Sequence, residues 1–296
     1  MKFILTYKGG KMLHALIDIG SNTIRLAIYD LTTGELVFKN KKLIAPAAFI
    51  EGGKMTSTGI SEIIAAITSY QAFLAAFGIS RISSFTTAAI RTATNCDEII
   101  AQITAATGLE VEVLSGEEEA CLGFLAAITG GDGLLVDIGG SSTEFVFFTA
   151  GAITTSLSLP LGAVRLAKEF VAGVLPTVAE FGAIKEHVKA ELAKNTPAVE
   201  VKELIAIGGT AKSLSLYTGG AVLEKAELAD LPELYLAERL TDAKAKRLLL
   251  TVGERIESVF SGLAVIVAVM EYFSVDTAEY KDTGIREGFL TKYLGA

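Results

Sequence analysis

Carboxylates and glycine turns are the groups in this chain best placed to do chemistry. The run "LSGEEEACLGF" (114–124) holds three successive glutamates. Ser115 is a good helix N-cap and Glu118 lies three residues on, a capping-box spacing that gives Glu118 a structural task. Glu117 is expected to be solvated. Glu119 has no such local partner and lies one turn before Gly123, where close approach is feasible, so it is the candidate general base. The run also fits a helix that merely favours acidic residues in its first turn. Two histidines, His14 and His187, leave little for a histidine triad or a histidine-ligated zinc.

A second pattern is written twice, as "LIDIGSNTIRLAIYD" (16–30) and "LVDIGGSSTEFVFF" (135–148). Each runs from an apolar strand through Asp-Ile-Gly and small polar residues into another strand. Gly20, Ser21, Asn22 and Thr23 form one turn; Gly139, Gly140, Ser141, Ser142 and Thr143 form the other. Glycines let the backbone approach a ligand and turn N–H groups inward, and the side chains add donors. Two such turns facing each other make a phosphate clamp. Asp18 and Asp137, at the strand ends, suit a divalent cation. Glu144 stands where the first copy has Arg25, and a charge entering a strand beside such a turn is poor core filler. Arg25, Arg91 and Arg165 sit among apolar or small residues, where a forked guanidinium could hold phosphate oxygens or serve an ordinary ion pair. In "IAIGGTAKSL" (205–214), Gly208, Gly209 and Thr210 open a helix after a buried strand. That is an anion site or a plain strand-to-helix turn.

These groups need a scaffold, and the chain is long enough for one of two domains: 296 residues, 51% hydrophobic and 20% charged. The net charge of −8 argues against broad nucleic-acid binding. It also requires any basic track for a long polyanion to be local, which points toward a short substrate. Cys96 and Cys121 lack metal spacing and fit a reducing compartment. The charge-free runs 63–80 and 145–164 are not membrane spans on this pattern. The first has a helical apolar stripe, and Gly151 and Pro160 break the second.

Strands are expected at 15–19, 24–30, 36–44, 82–86, 111–114, 134–138, 144–148, 153–159, 204–207 and 277–280. Helices are expected at 59–77, from an Asn95–Glu98 capping box to Gly108, from Ser115, at 162–172, 176–193, 210–217, 241–250 and 260–272, and at the end of the chain. Each half is thus a three-strand meander followed by alternating helices and strands. Duplication of that unit gives two α/β lobes, 1–129 and 130–296, with a cleft between them. The last helix could pack back at the lobe interface. The "KGGKM" stretch suggests a translated ribosome-binding site and a native start at Met12.

Seven stretches in order carry a family resemblance: "IDIGSNTIRLAIYD", "TTAAIRTATN", "LSGEEEACLGF", "LLVDIGGSSTEFVF", "LPLGAVRL", "IAIGGTAKSL" and "DTGIREGFL". Together they resemble the exopolyphosphatase/guanosine pentaphosphate phosphohydrolase (Ppx/GppA) family in its short two-domain form. The resemblance implies duplicated actin-like, ribonuclease H-like (ASKHA) lobes. It implies a cytoplasmic bacterial enzyme of the stringent response, acting on polyphosphate or pppGpp with Mg2+ or another divalent cation. No DNA or membrane partner is implied, and a homodimer is compatible with it. It implies that Glu119 activates water, that Glu144 positions water or metal, and that Arg25 and Arg91 bind phosphate. Asp137, Glu144 and Asp18 are then the metal candidates. Ser141 replaces a family glycine and "RTATN" replaces the usual Arg-Glu-Ala, which bears on substrate preference. An alarmone-binding sensor of weak activity and a kinase or ATPase of the same superfamily are the alternatives.

Overall fold

The computed structural model describes residues 13–237 and 240–294; the suggested start at Met12 lies outside them. The apolar alternation of the first repeat folds into an antiparallel meander, β1 (Leu13–Ile19), β2 (Thr23–Asp30) and β3 (Glu35–Leu43). A small hairpin follows, β4 (Ile50–Glu51) with β5 (Lys54–Met55), and then α1 (Ser57–Ala76), β6 (Ile82–Thr86), α2 (Ala88–Arg91), α3 (Cys96–Thr107), β7 (Glu112–Val113) and α4 (Gly116–Ala127). The sheet order is β3-β2-β1-β6-β7, with β6 and β7 parallel to β1.

The second half repeats this plan. Its meander is β8 (Gly133–Ile138), β9 (Thr143–Thr149) and β10 (Ala152–Leu159). Next come α5 (Ala163–Phe170), α6 (Val178–Asn195), β11 (Leu204–Ile207), α7 (Gly208–Thr218), β12 (Val222–Glu224), α8 (Lys225–Leu236), α9 (Asp242–Val252), α10 (Val259–Tyr272), β13 (Thr277–Tyr280) and α11 (Ile285–Phe289). The order β10-β9-β8-β11-β13-β12 matches the first sheet strand for strand, with β12 added antiparallel at the edge. Two α/β lobes of one topology result.

Each lobe buries one sheet face under its own helices. In the first, Ile60, Ile63, Ile67, Tyr70 and Leu74 of α1 pack with α3 on β1 and β2. That stripe identifies a core helix, although α1 is long and apolar enough to cross a membrane. In the second, the almost wholly buried α10 packs with α6 on β8 and β9. The opposite sheet faces look toward each other across α4 and α11. Leu122 of α4 joins Leu16, Ala27, Tyr29 and Phe85 of the first sheet, with Phe289 stacked on Phe85. Ala120, Phe124 and Ala127 of the same helix join Leu135, Val146, Ile205 and Ile207 of the second. One helix with apolar residues all round thus touches both sheets, which fixes where Glu119 stands.

Two local expectations differ. Asn95 is the N-cap of α3 but makes no capping hydrogen bond. Its amide instead bonds the backbone N–H and C=O of Met55, at 2.9 and 3.1 Å, tying the β4–β5 hairpin to α3. α8 went unread because its apolar residues are interrupted by Pro232.

The α4–α11 contact needs a glycine. A Cβ on Gly288 would overlap the Leu122 carbonyl. Gly288→Ala is therefore expected to destabilise the fold by about 1–3 kcal/mol, measured as a lowered denaturant midpoint. An unchanged midpoint would remove α11 from the framework of the cleft.

Candidate active site

The Ser115–Glu118 capping box forms as the spacing predicts: the Glu118 N–H donates to Ser115 Oγ at 3.1 Å, and the Ser115 N–H to Glu118 Oε2 at 2.8 Å. Glu118 is thereby held outside the cleft. Glu119, one residue on, is only 4% exposed and meets the Arg91 guanidinium. Arg91 also donates to the Leu114 carbonyl at 2.6 Å, so it is anchored at the start of α4. Gly123 lets α4 lie close to Ile207 and Leu135 of the second sheet.

The two repeated turns have the same internal hydrogen bond, Gly20 N–H to Thr23 C=O at 3.1 Å and Gly139 N–H to Ser142 C=O at 3.0 Å. They face each other directly, for a Cβ on Gly140 would press on Ser21 Cβ. Among the described residues, no hydrogen bond within the protein uses the N–H groups of Ser21, Asn22, Gly140 or Ser141. Four donors thus remain for an anion. Ser141 needs no left-handed backbone, since only Ala45, Ala150 and Ser274 among the described non-glycine residues have positive φ. The Ser141 side chain sits there without backbone strain.

Strand register places the charges. Asp18 lies opposite Arg25 and Asp137 opposite Glu144. Asp18 bonds Arg25 at 3.2 Å and lies 3.9 Å from Arg286. Two guanidiniums therefore occupy it, which suits charge balance better than the metal role expected for it. Glu144 Oε1 accepts hydrogen bonds from Ser142 at 2.7 Å and Ser158 at 2.8 Å. The third loop also arrives here. Gly208, with φ +86°, sits where a Cβ would overlap the Asp137 carboxylate, and Gly209 lies under the guanidinium of Arg255. Arg255 went unnoticed in the sequence because it stands in a polar turn before α10. Among the described residues its guanidinium makes no ion pair or hydrogen bond.

Other expected residues go elsewhere. Thr143 is fully buried and donates to the Leu161 carbonyl at 2.8 Å. Thr210 fills the space above Gly262, so only its backbone can serve a ligand. Arg165 pairs with Glu169 on its own helix at 2.9 Å, at the surface.

The centre is electrostatically loaded. Burial raises Glu119 well above the ordinary carboxylate range; Glu144 adds to the rise and Arg91 opposes it. Burial, then repulsion from Asp137, pushes Glu144 up to about 7, against its serine hydrogen bonds. Asp137, enclosed on most sides yet reached by solvent, rises to about 6 through burial, with Arg25 and Arg255 pulling it down. Arg255 is lowered to about 10 by burial and by Arg25, and stays a cation at neutral pH. A pair of carboxylates in neighbouring strands, both short of cationic partners, has the hard oxygen donors that Mg2+ takes. No group of three His, Cys, Asp or Glu side chains among the described residues forms a cage for a metal ion. Asp137 and Glu144 would therefore supply only part of a cation's oxygen donors.

The folded-state value for Glu144 lies above its unfolded one. Its protonation favours the fold below about pH 4.5, and that contribution is lost as pH rises through about 7. In metal-free buffer at pH 8, Glu144→Gln is expected to melt roughly 2–4 °C above the parent for each ~1 kcal/mol of relieved burial cost and repulsion. The gap should close near pH 5. An equal gap at both pH values contradicts this electrostatic account.

Known proteins resemble this chain in sequence and in fold. The model of the Ppx/GppA phosphatase family matches residues 39–296. Exopolyphosphatase 1 of Mycobacterium tuberculosis is 28% identical over 302 aligned positions, covering 94% of this chain and 87% of the relative. Guanosine-5'-triphosphate,3'-diphosphate pyrophosphatase of Vibrio vulnificus is 29% identical over 305 positions, covering 96% of this chain but 60% of that longer protein. The crystal structure of the Aquifex aeolicus Ppx/GppA family member superposes with a TM-score of 0.78 at 27% identity, covering 96% of this chain and 98% of that one.

Proposed function

The chain belongs to the Ppx/GppA phosphatase family, and we propose that it releases the terminal phosphate of inorganic polyphosphate or of guanosine pentaphosphate by attack of water. One observation carries the reading: Glu119 and Glu144, both buried and both with raised pKa, stand beside two facing turns in which the N–H groups of Ser21, Asn22, Gly140 and Ser141 have no partner among the described residues. Activated water needs a carboxylate base, and a terminal phosphoanhydride needs donors that hold its charge as the bond to the leaving group breaks.

The N–H groups of Ser21, Asn22, Gly140 and Ser141 hold the phosphate oxygens. Arg25 and Arg255 stand beside them as cations. Glu119 accepts the proton of the attacking water, with Arg91 holding its carboxylate in place and available to phosphate oxygens once substrate enters. Glu144, fixed by Ser142 and Ser158, orients that water. Asp137 and Glu144 are the residues to hold Mg2+ or another divalent cation, which supplies neutralising charge to the phosphate. We treat 1–129 and 130–296 as the two lobes and the enzyme as cytoplasmic; two half-buried free cysteines support a reducing compartment.

Glu119→Gln keeps the size of the side chain and removes the base. Turnover is expected to fall about 10²–10⁴-fold, with an unchanged circular dichroism spectrum. Full activity in that variant overturns the assignment. Phosphate release from polyphosphate, guanosine pentaphosphate and ATP, with and without Mg2+, tests the substrate class. Release from ATP alone would favour an ATPase instead.

A further inference from the structure

Glu144 spends only one of its two oxygens inside the protein. Oε1 accepts both serine hydroxyls, from Ser142 at 2.7 Å and from Ser158 at 2.8 Å, and among the described residues no hydrogen bond reaches Oε2. Ser261 Oγ is the one fully enclosed side-chain polar atom without a partner among those residues, so Oε2 is reached by solvent although the residue is 3% exposed. Two donors on one oxygen fix the plane of a carboxylate and leave the other oxygen free.

Ser142 belongs to the glycine turn, but Ser158 comes from β10, where it is the register partner of Glu144. Paired residues of neighbouring strands stand side by side on one sheet face. The end of β10 is pinned behind it. Leu159 is buried, Thr143 opposite it donates to the Leu161 carbonyl at 2.8 Å, and the Leu161 N–H bonds the Leu159 carbonyl at 2.7 Å. Pro160 has no N–H with which to continue the ladder.

Ser158 also touches the helix that carries Glu119. A Cβ on Gly116, the first residue of α4, would overlap both Cβ and Oγ of Ser158, and the Arg91 guanidinium comes within 3.7 Å of the same point. Gly116 and Glu119 are three residues apart and share a face of α4. That face rests, at its first residue, on the side chain that holds Glu144. The two carboxylates are close enough for the charge of Glu144 to act on Glu119.

We propose that Ser158 is a positioning residue for the hydrolysis. Bonded to Glu144 Oε1 and seated against Gly116, it sets Glu144 against Glu119 and leaves Oε2 to the attacking water. This rests on the hydrolase reading above and adds to it a residue from outside the glycine turns and the acidic run. Ser158 touches no substrate in this role, and the turn N–H groups that hold phosphate do not depend on it. Its loss therefore acts on the reaction rather than on binding.

Ser158→Ala removes the hydroxyl and keeps the Cβ that lies against Gly116. On whichever of polyphosphate and guanosine pentaphosphate the parent hydrolyses, kcat is expected to fall about 10–100-fold while KM stays within about 2-fold. An unchanged kcat, or a loss carried by KM alone, overturns the assignment. Gly116→Ala reaches the same serine from the helix side. Its kcat loss should largely disappear when it is added to Ser158→Gly, which clears the overlap, and losses that multiply overturn the seat of α4 on Ser158. Should the parent hydrolyse neither substrate, the hydrolase reading fails on its own. A cycle of Ser158→Ala and Glu144→Gln, followed by urea midpoints at pH 8 without metal, then decides the hold on Glu144: shifts that do not add support it, and additive shifts overturn it.

Discussion

Three carboxylates share one poorly solvated cleft, and much of the structure answers to the cost of burying their charge. Glu119, Glu144 and Asp137 each rise in pKa chiefly because burial disfavours their charge, and Glu119 and Glu144 rise further because a carboxylate neighbour adds to it. Left alone, such a cluster would take up protons. Arg91 meets Glu119, two serine hydroxyls meet Glu144, and Arg25 and Arg255 act on Asp137. What is left is a shortage of positive charge beside Glu144 and Asp137.

The duplication explains how the cluster is assembled. Both lobes use one meander, with an Asp at the end of its first strand and a charged residue opposite on the second. In the first lobe that partner is Arg25 and the pair nearly cancels; in the second it is Glu144 and the pair repels. One change of sign at one register position is the electrostatic difference between the two halves. α4 then brings Glu119 to the second pair because its apolar residues serve both sheets, and α11 backs it through Gly288 and Phe289.

Much of this was legible in the residues. The repeated Asp-Ile-Gly turns announced two lobes, and the Ser115–Glu118 spacing separated Glu119 from its neighbours, because hairpins and caps are local hydrogen-bonded patterns. The Asn95 cap misled because a side chain amide can leave its own helix for a distant backbone, as Asn95 does for Met55. Hydroxyl residues in the turns were over-read for a similar reason. Thr143 and Ser142 have the right chemistry for phosphate, yet one is turned into the core and the other is held by Glu144.

The sequence by itself determined the duplicated α/β plan, the two glycine turns and the capping box that takes Glu118 and leaves Glu119 without a local partner, since each depends on residues within a few positions of one another. Tertiary structure alone decided which charges meet. Arg255 and Arg286 come from segments far along the chain from Asp137 and Asp18, and no periodicity marks them. They acquire a role only when strand register and the packing of α4 and α11 close the two lobes on one cleft. There, burial and proximity, which no local pattern encodes, set the charge each group carries.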